Sequence, residues 1–138
     1  MTQRQEIRVD GVSEPISHYT DAVRFGDLVY VSGCAPFDAD GNVIGEGDVV
    51  AQTRQVLSNL LDILRAAGGD MNDVLKVTVF LINVDDRNAI NPIRQEFFGS
   101  AKPASTLIEV SALADPKMLV EIEAVAGIPA GRSEGGPR

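Results

Sequence analysis

Hydrophobic positions recur along the chain with two periods, and each change of period marks an element. In "AVRFGDLVYVSGC" (22–34), β-forming residues flank Gly26-Asp27, which predicts two strands joined by a compact hairpin. An Asp-Gly turn follows within "FDADGNVIGEG" (37–47). From Val49 onward, positions 49, 53, 56, 60, 63 and 67 recur at a 4-3-4-3-4 spacing if Thr53 is counted, so they share one face of a helix over about 49–67. Asp48 is its expected N-cap and Gly68-Gly69 its stop.

The period then falls to two. In "DVLKVTVFLINV" (73–84), Leu75, Val77, Val79 and Leu81 lie on one predicted face, and Val74, Lys76, Thr78, Phe80 and Ile82 on the other. "DDRNAINPIRQEFFG" (85–99) returns to a helical pattern with Ala89, Ile90, Ile93 and Phe97 on its apolar side. Pro92 has no amide to give a helix interior, which predicts a kink or a late start near Asn91. Two strands close the chain. "KPASTLIEV" (102–110) reads as a buried strand over about 105–110, approached through a proline, and the last strand spans about 118–126. In that last strand Met118, Val120, Ile122, Ala124 and Ala126 form one apolar set, while Leu119, Glu121, Glu123 and Val125 share the opposite face.

The predicted order is strand, strand, helix, strand, helix, strand, strand. It describes an α+β layer with two helices covering one face of a sheet. The second face then carries two carboxylates among aliphatic residues. That mixture suits a subunit interface with a polar pocket better than it suits open water.

Composition narrows the function classes. A chain of 138 residues fits one domain, expected over 1–128, and "PAGRSEGGPR" (129–138) is too rich in Gly, Pro and charge to bury apolar area, so a disordered tail is expected there. Cys34 is the single cysteine and His18 the single histidine, and neither HExxH nor GxSxG occurs, which argues against a His-based metal site or a serine triad. No leader-type apolar stretch opens the chain and no eighteen apolar residues run together, so a cytoplasmic protein without membrane contact is expected. The formal charge of −8, with no Lys/Arg cluster, works against a nucleic-acid partner.

The stretches "VYVSGCAPFDADGNV", "QTRQVLSNLLDILRAAGGDMNDVLKVTVFLINVDD", "EFF", "KPASTLIEV" and "MLVEIEAVAG" resemble, in unbroken order over roughly 19–128, the Rid (YjgF/YER057c/UK114) family of reactive imine and enamine deaminases. The resemblance implies a chorismate-mutase-like fold and a homotrimer whose sheets form a central barrel. It also implies small-molecule clefts between neighbouring subunits, and a hydrolysis that releases ammonia without metal or organic cofactor.

Residue by residue, the resemblance assigns Glu121 as the carboxylate that positions water or moves a proton. It assigns Tyr19, Ser32, Gly33 and Asn91 to the cleft, and places Ser105 and Leu107 on its strand side. Residues 103–106, Pro-Ala-Ser-Thr, stand where active deaminases carry proline-alanine-arginine-serine, so Ser105 replaces the arginine that clamps the substrate carboxylate. A neutral hydroxyl cannot reproduce a bidentate charged pair. The segment between Phe98 and Pro103 is also shorter than in that branch. Arg94 and Lys102 are the nearby cations that could swing in, although long basic side chains at helix ends are ordinarily solvated. Leu107 would make the pocket floor more apolar. For each of the others a plainer reading stands beside the functional one: an interface tyrosine at 19, a turn glycine at 33, a helix cap at Asn91, a paired interface acid at Glu121. Cys34 is a candidate thiol by position only. The expected function is a Rid-like imine/enamine deaminase with a shifted substrate class, for example in the catabolism of an amino-substituted or nitrogen-containing aromatic compound; the alternative is a non-catalytic trimer binding a small metabolite or a protein.

Overall fold

The computed structural model describes residues 3–132. The expected hairpin is present: strands β2 (Ala22–Phe25) and β3 (Leu28–Cys34) pair antiparallel, with Phe25 opposite Leu28. Only Gly26 and Asp27 lie between them, and Gly26 has φ of 62°, the left-handed conformation that the first position of such a tight turn demands. A short strand β1 (Arg4–Ile7) precedes them and pairs with β2. Helix α1 (Val49–Ala66), strand β4 (Val74–Leu81), helix α2 (Arg87–Phe98) and strands β5 (Ala104–Glu109) and β6 (Val120–Gly127) follow. Among the described residues six strands form one sheet in the order β1-β2-β3-β6-β4-β5, antiparallel except for the β4–β5 pair, which α2 connects as a crossover.

Both helices cover one face. Helix α1 starts where Asp48 caps it, accepting from the amides of Val50 and Ala51 at 3.1 and 3.0 Å. It buries Val56, Leu57, Leu60, Ile63 and Leu64 against β3, β6 and α2. Beneath it lie Val29, Val31, Val77, Val79, Leu81 and the whole apolar set of the last strand: Met118, Val120, Ile122, Ala124 and Ala126. The opposite face is open in the single chain and exposes Phe25, Leu28, Tyr30, Leu75 and Ile108.

Three expectations need correction, and one strand was not expected at all. Strand β4 does not alternate cleanly: its pairing to β6 steps from Val74↔Ala126 to Lys76↔Val125, which leaves one extra residue on β4. That bulge turns Val74 into the core and leaves Leu75 53% exposed, the reverse of strict alternation. The segment "KPASTLIEV" is not buried, because β5 is the edge of the sheet and is mostly exposed. Helix α2 begins at Arg87 and runs through Pro92, so the late start near Asn91 does not occur; a one-turn helix at Val84–Asp86 leads directly into it. Strand β1 has no counterpart in the sequence reading because RQEI is a polar edge strand with no apolar alternation to show.

Of the tail expected from 129, residues 129–132 are described. The Ala130 amide donates to Asp27 at 2.9 Å and Arg132 pairs with Asp73 at 3.1 Å. Residues 133–138 lie outside the described residues.

Candidate active site

Two adjoining central strands, β3 and β6, build the chemistry-bearing corner. Their register runs from Val31↔Ala124 to Cys34↔Ile122, three steps against two, so Ser32-Gly33 forms a bulge. The bulge brings Gly33 under the Glu121 side chain. A Cβ on residue 33 would stand 2.2 Å from Glu121 Oε2 and 2.9 Å from its Cδ, distances no methyl group tolerates. Gly33 does not take a left-handed φ, so it is the place occupied by the Glu121 carboxylate, not backbone freedom, that a side chain here would contest.

The Glu121 carboxyl is half-buried, and its pKa is raised above the ordinary 4.5, first by burial and then by the negative charge of Glu123. It forms one wall of a hollow of about 390 Å³ that Tyr19, Ser32, Gly33, Phe37 and Met118 also line. Tyr19 stays half-exposed, its hydroxyl accepting weakly from the Ile16 amide at 3.3 Å. The Ser32 hydroxyl donates to the Thr20 carbonyl at 2.6 Å and its amide to the Asp21 carbonyl at 3.0 Å, so Ser32 holds the Tyr19 segment against β3.

Polar side chains of α1 that the periodicity does not single out set the rest of the wall. Asn59 donates to the carbonyls of Ala35 and Phe37 at 3.1 and 2.9 Å, and Gln55 to that of Phe37 at 3.2 Å. Gln52, fully buried, donates to the Gly45 and Lys117 carbonyls and accepts from the Leu119 amide at 2.7 Å, which anchors the approach to β6. The signal for all three was a polar residue at or beside the buried stripe of a helix, where a partner must be found.

Cys34 lies behind this wall. Burial first, then the charges of Asp21 and Glu121, push its thiol up to about 12, so it stays protonated and packs as an apolar group.

The remaining expected site residues lie elsewhere in the chain. Asn91 is an exposed residue in the interior of α2 and does not cap it. Leu107 is half-buried against the core, on the helix-covered side opposite Val79. Ser105 also points to the helix side, where its hydroxyl accepts from Arg94 at 2.8 Å. One chain therefore brings Tyr19, Ser32, Gly33 and Glu121 together and holds Asn91 and Ser105 apart from them. Glu109, an acid of the same edge strand, accepts from the Val84 amide at 3.0 Å and fastens the entry to α2.

The family model described as Endoribonuclease L-PSP matches residues 11–128, most of the chain and all of the site. The chain belongs to this family. Its sheet and helices are those of the Rid proteins, with the chorismate-mutase-like fold. A RutC family protein of Pyrococcus horikoshii is 42% identical over 124 residues, 89% of this chain and 97% of that one. The 3-aminoacrylate deaminase RutC of Acinetobacter baylyi is 37% identical over 125 residues, 91% and 98% of the two chains. Among solved structures, a conserved Rid family protein of Yersinia pestis superposes with a TM-score of 0.86 at 34% identity, covering 91% of this chain and 100% of its own. Membership in the Rid family supports small-molecule chemistry at C=N bonds in the broad sense, and no helix among the described residues is long and apolar enough to cross a membrane.

Proposed function

We propose that the protein is a homotrimeric deaminase that hydrolyses reactive imines and enamines to carbonyl compounds and ammonia, with a substrate class shifted from that of arginine-clamped relatives. The observation that carries this reading is the Glu121 carboxyl, half-buried and with a raised pKa, seated against Gly33 on the wall of a hollow large enough for a small metabolite. The 3-aminoacrylate deaminase among its relatives supports the reaction class. In the trimer, the exposed apolar side chains of the open sheet face would be covered, and the hollow of one subunit would meet the β5 edge of the next.

An enamine first tautomerises to its imine. Glu121 takes a proton from a water whose oxygen bonds to the imine carbon, and the C=N electron pair moves to nitrogen. Nitrogen then receives that proton from Glu121. As the hydroxyl proton passes through the same carboxylate to nitrogen, the C–N bond breaks, leaving a carbonyl and ammonia. A carboxyl with a raised pKa suits both halves of this relay, because its carboxylate is a stronger base towards the water than an exposed glutamate, and its protonated form persists closer to neutrality, where it can supply the nitrogen.

Ammonia release from a panel of freshly generated imines and enamines tests the proposal; an assembly that binds such compounds without releasing ammonia defeats it. The binding-only reading is favoured by one feature, Ser105 in the clamp position. Ribonuclease activity is disfavoured by the charge of −8.

A further inference from the structure

The edge strand β5 and helix α2 carry a cationic feature that the Glu121 corner does not use. Arg94 Nη2 donates to Ser105 Oγ at 2.8 Å. The guanidinium is about half-buried, and burial lowers its pKa with no carboxylate acting against that. Among the described residues no acid lies within ion-pair distance of it, and Glu96, on the same helix, is paired with Arg54 instead. A hydroxyl takes one of the five guanidinium N–H groups and neutralises none of the charge. Beside it opens a hollow of about 350 Å³ lined by Asn91, Arg94, Gln95 and Lys102.

We propose that Arg94, reaching from α2 to Ser105, is the anion clamp of this protein, and that with Asn91 and Lys102 it receives the carboxylate of the substrate. The inference rests on the deaminase reading for what happens to the ligand, not for its binding. A partly desolvated cation without a counterion is relieved by an anion, and the planar fork of a guanidinium can hold the two oxygens of a carboxylate side by side.

The position of the fork selects the substrate. Arg94 comes within hydrogen-bond distance of the short Ser105 side chain, so its guanidinium lies close to strand β5. A guanidinium carried by residue 105 itself would extend several bonds further from the strand. A carboxylate seated on Arg94 would therefore lie closer to β5 than one seated on a guanidinium of residue 105, and 3-amino-2-enoates, whose carboxylate is one carbon removed from the C=N carbon, are the longer free acids that set this clamp against 2-imino acids.

The test uses 3-aminocrotonate and its methyl ester as substrates, with wild type, Arg94→Ala, Arg94→Gln and Arg94→Lys. The expected result is that the wild type prefers the free acid. The alanine and glutamine variants should lower the acid-over-ester ratio of kcat/KM by on the order of tenfold to hundredfold, mainly through KM, the size of a charge-assisted contact. Lysine should restore part of it. In parallel, calorimetry measures crotonate and methyl crotonate binding to the intact protein. This arm decides the clamp even where no imine is turned over, an outcome that would remove the deaminase reading alone. Equal losses on acid and ester, or crotonate bound no better than its ester by the wild type, would overturn the proposal. Saturation by inorganic phosphate in place of crotonate would overturn the carboxylate assignment.

Discussion

Gly33 and Glu121 form a matched pair: the carboxylate occupies the space that any side chain on residue 33 would need, with Oε2 2.2 Å from the missing Cβ. The obstacle is the far end of a flexible side chain, so the fold can yield by moving Glu121. Gly33→Ala is therefore expected to leave the melting temperature nearly unchanged while activity falls about a hundredfold, the cost of misplacing a reacting group by roughly an ångström. Steady-state ammonia release and thermal melting measured on the same sample check this, and an active alanine variant would show that the carboxylate position is not critical.

Glu121→Gln keeps the shape and removes the proton relay. Turnover should fall by about two orders of magnitude or more while the assembly survives. The pH dependence of stability has a definite sign. Folding raises the Glu121 pKa above its ordinary 4.5, so the folded state disfavours its ionisation. The contribution of this group to stability is fully present below that ordinary value and is lost as pH rises through the raised one. The glutamine variant should lack this loss and melt at a higher temperature than wild type near neutral pH. An unchanged turnover would end the catalytic assignment, and dissociation of the subunits would make Glu121 an interface residue first.

Ser105 in the clamp position predicts poor activity on 2-iminopropionate, by about a hundredfold relative to the best substrate, because a charged bidentate contact is missing at that place. Ser105→Arg alone should not repair it, since Arg94 already lies against that side chain and two guanidinium groups would repel. The exchange Arg94→Ser with Ser105→Arg should move preference towards 2-imino acids. Competition assays between the two substrate types on all four proteins measure the coupling, and efficient 2-iminopropionate turnover by the wild type contradicts the prediction.

The open sheet face, with Phe25, Leu28, Tyr30, Leu75 and Ile108 exposed in one chain, predicts a trimer in solution. Light scattering should give three times the chain mass of 14.7 kDa. Tyr30→Glu, on the central strand β3 between Val23 and Val125, should lower that mass and abolish turnover together. A wild type that stays monomeric at micromolar concentration would remove the subunit cleft altogether.

Elements whose hydrophobic period was unbroken were legible in the chain. The 4-3-4-3-4 stripe gave α1 with its Asp48 cap, and the apolar set from Met118 to Ala126 is buried in full. Where periodicity misled, a bulge or an edge was responsible. An extra residue in β4 exchanged the faces of Val74 and Leu75, and β5 lost its second neighbour and with it its burial. Strand β1 was silent because an exposed edge strand needs no apolar residues.

For the site, local order and residue type determined a great deal: the hairpin at Gly26-Asp27, the carboxylates on the uncovered face of the last strand, the Ser32-Gly33 pair, and the absence of an arginine at 105. These follow from backbone sterics and alternation, which act between residues near in sequence. Tertiary structure alone decided that Gly33 leaves the space taken by the Glu121 carboxylate 88 positions away, that Cys34 is buried to the point of inertness, and that Arg94 meets Ser105 across the helix–strand crossover. Each of these depends on which strands are neighbours and in what register, and register is set by bulges and by the packing of a whole sheet under two helices, quantities that no single stretch of residues contains.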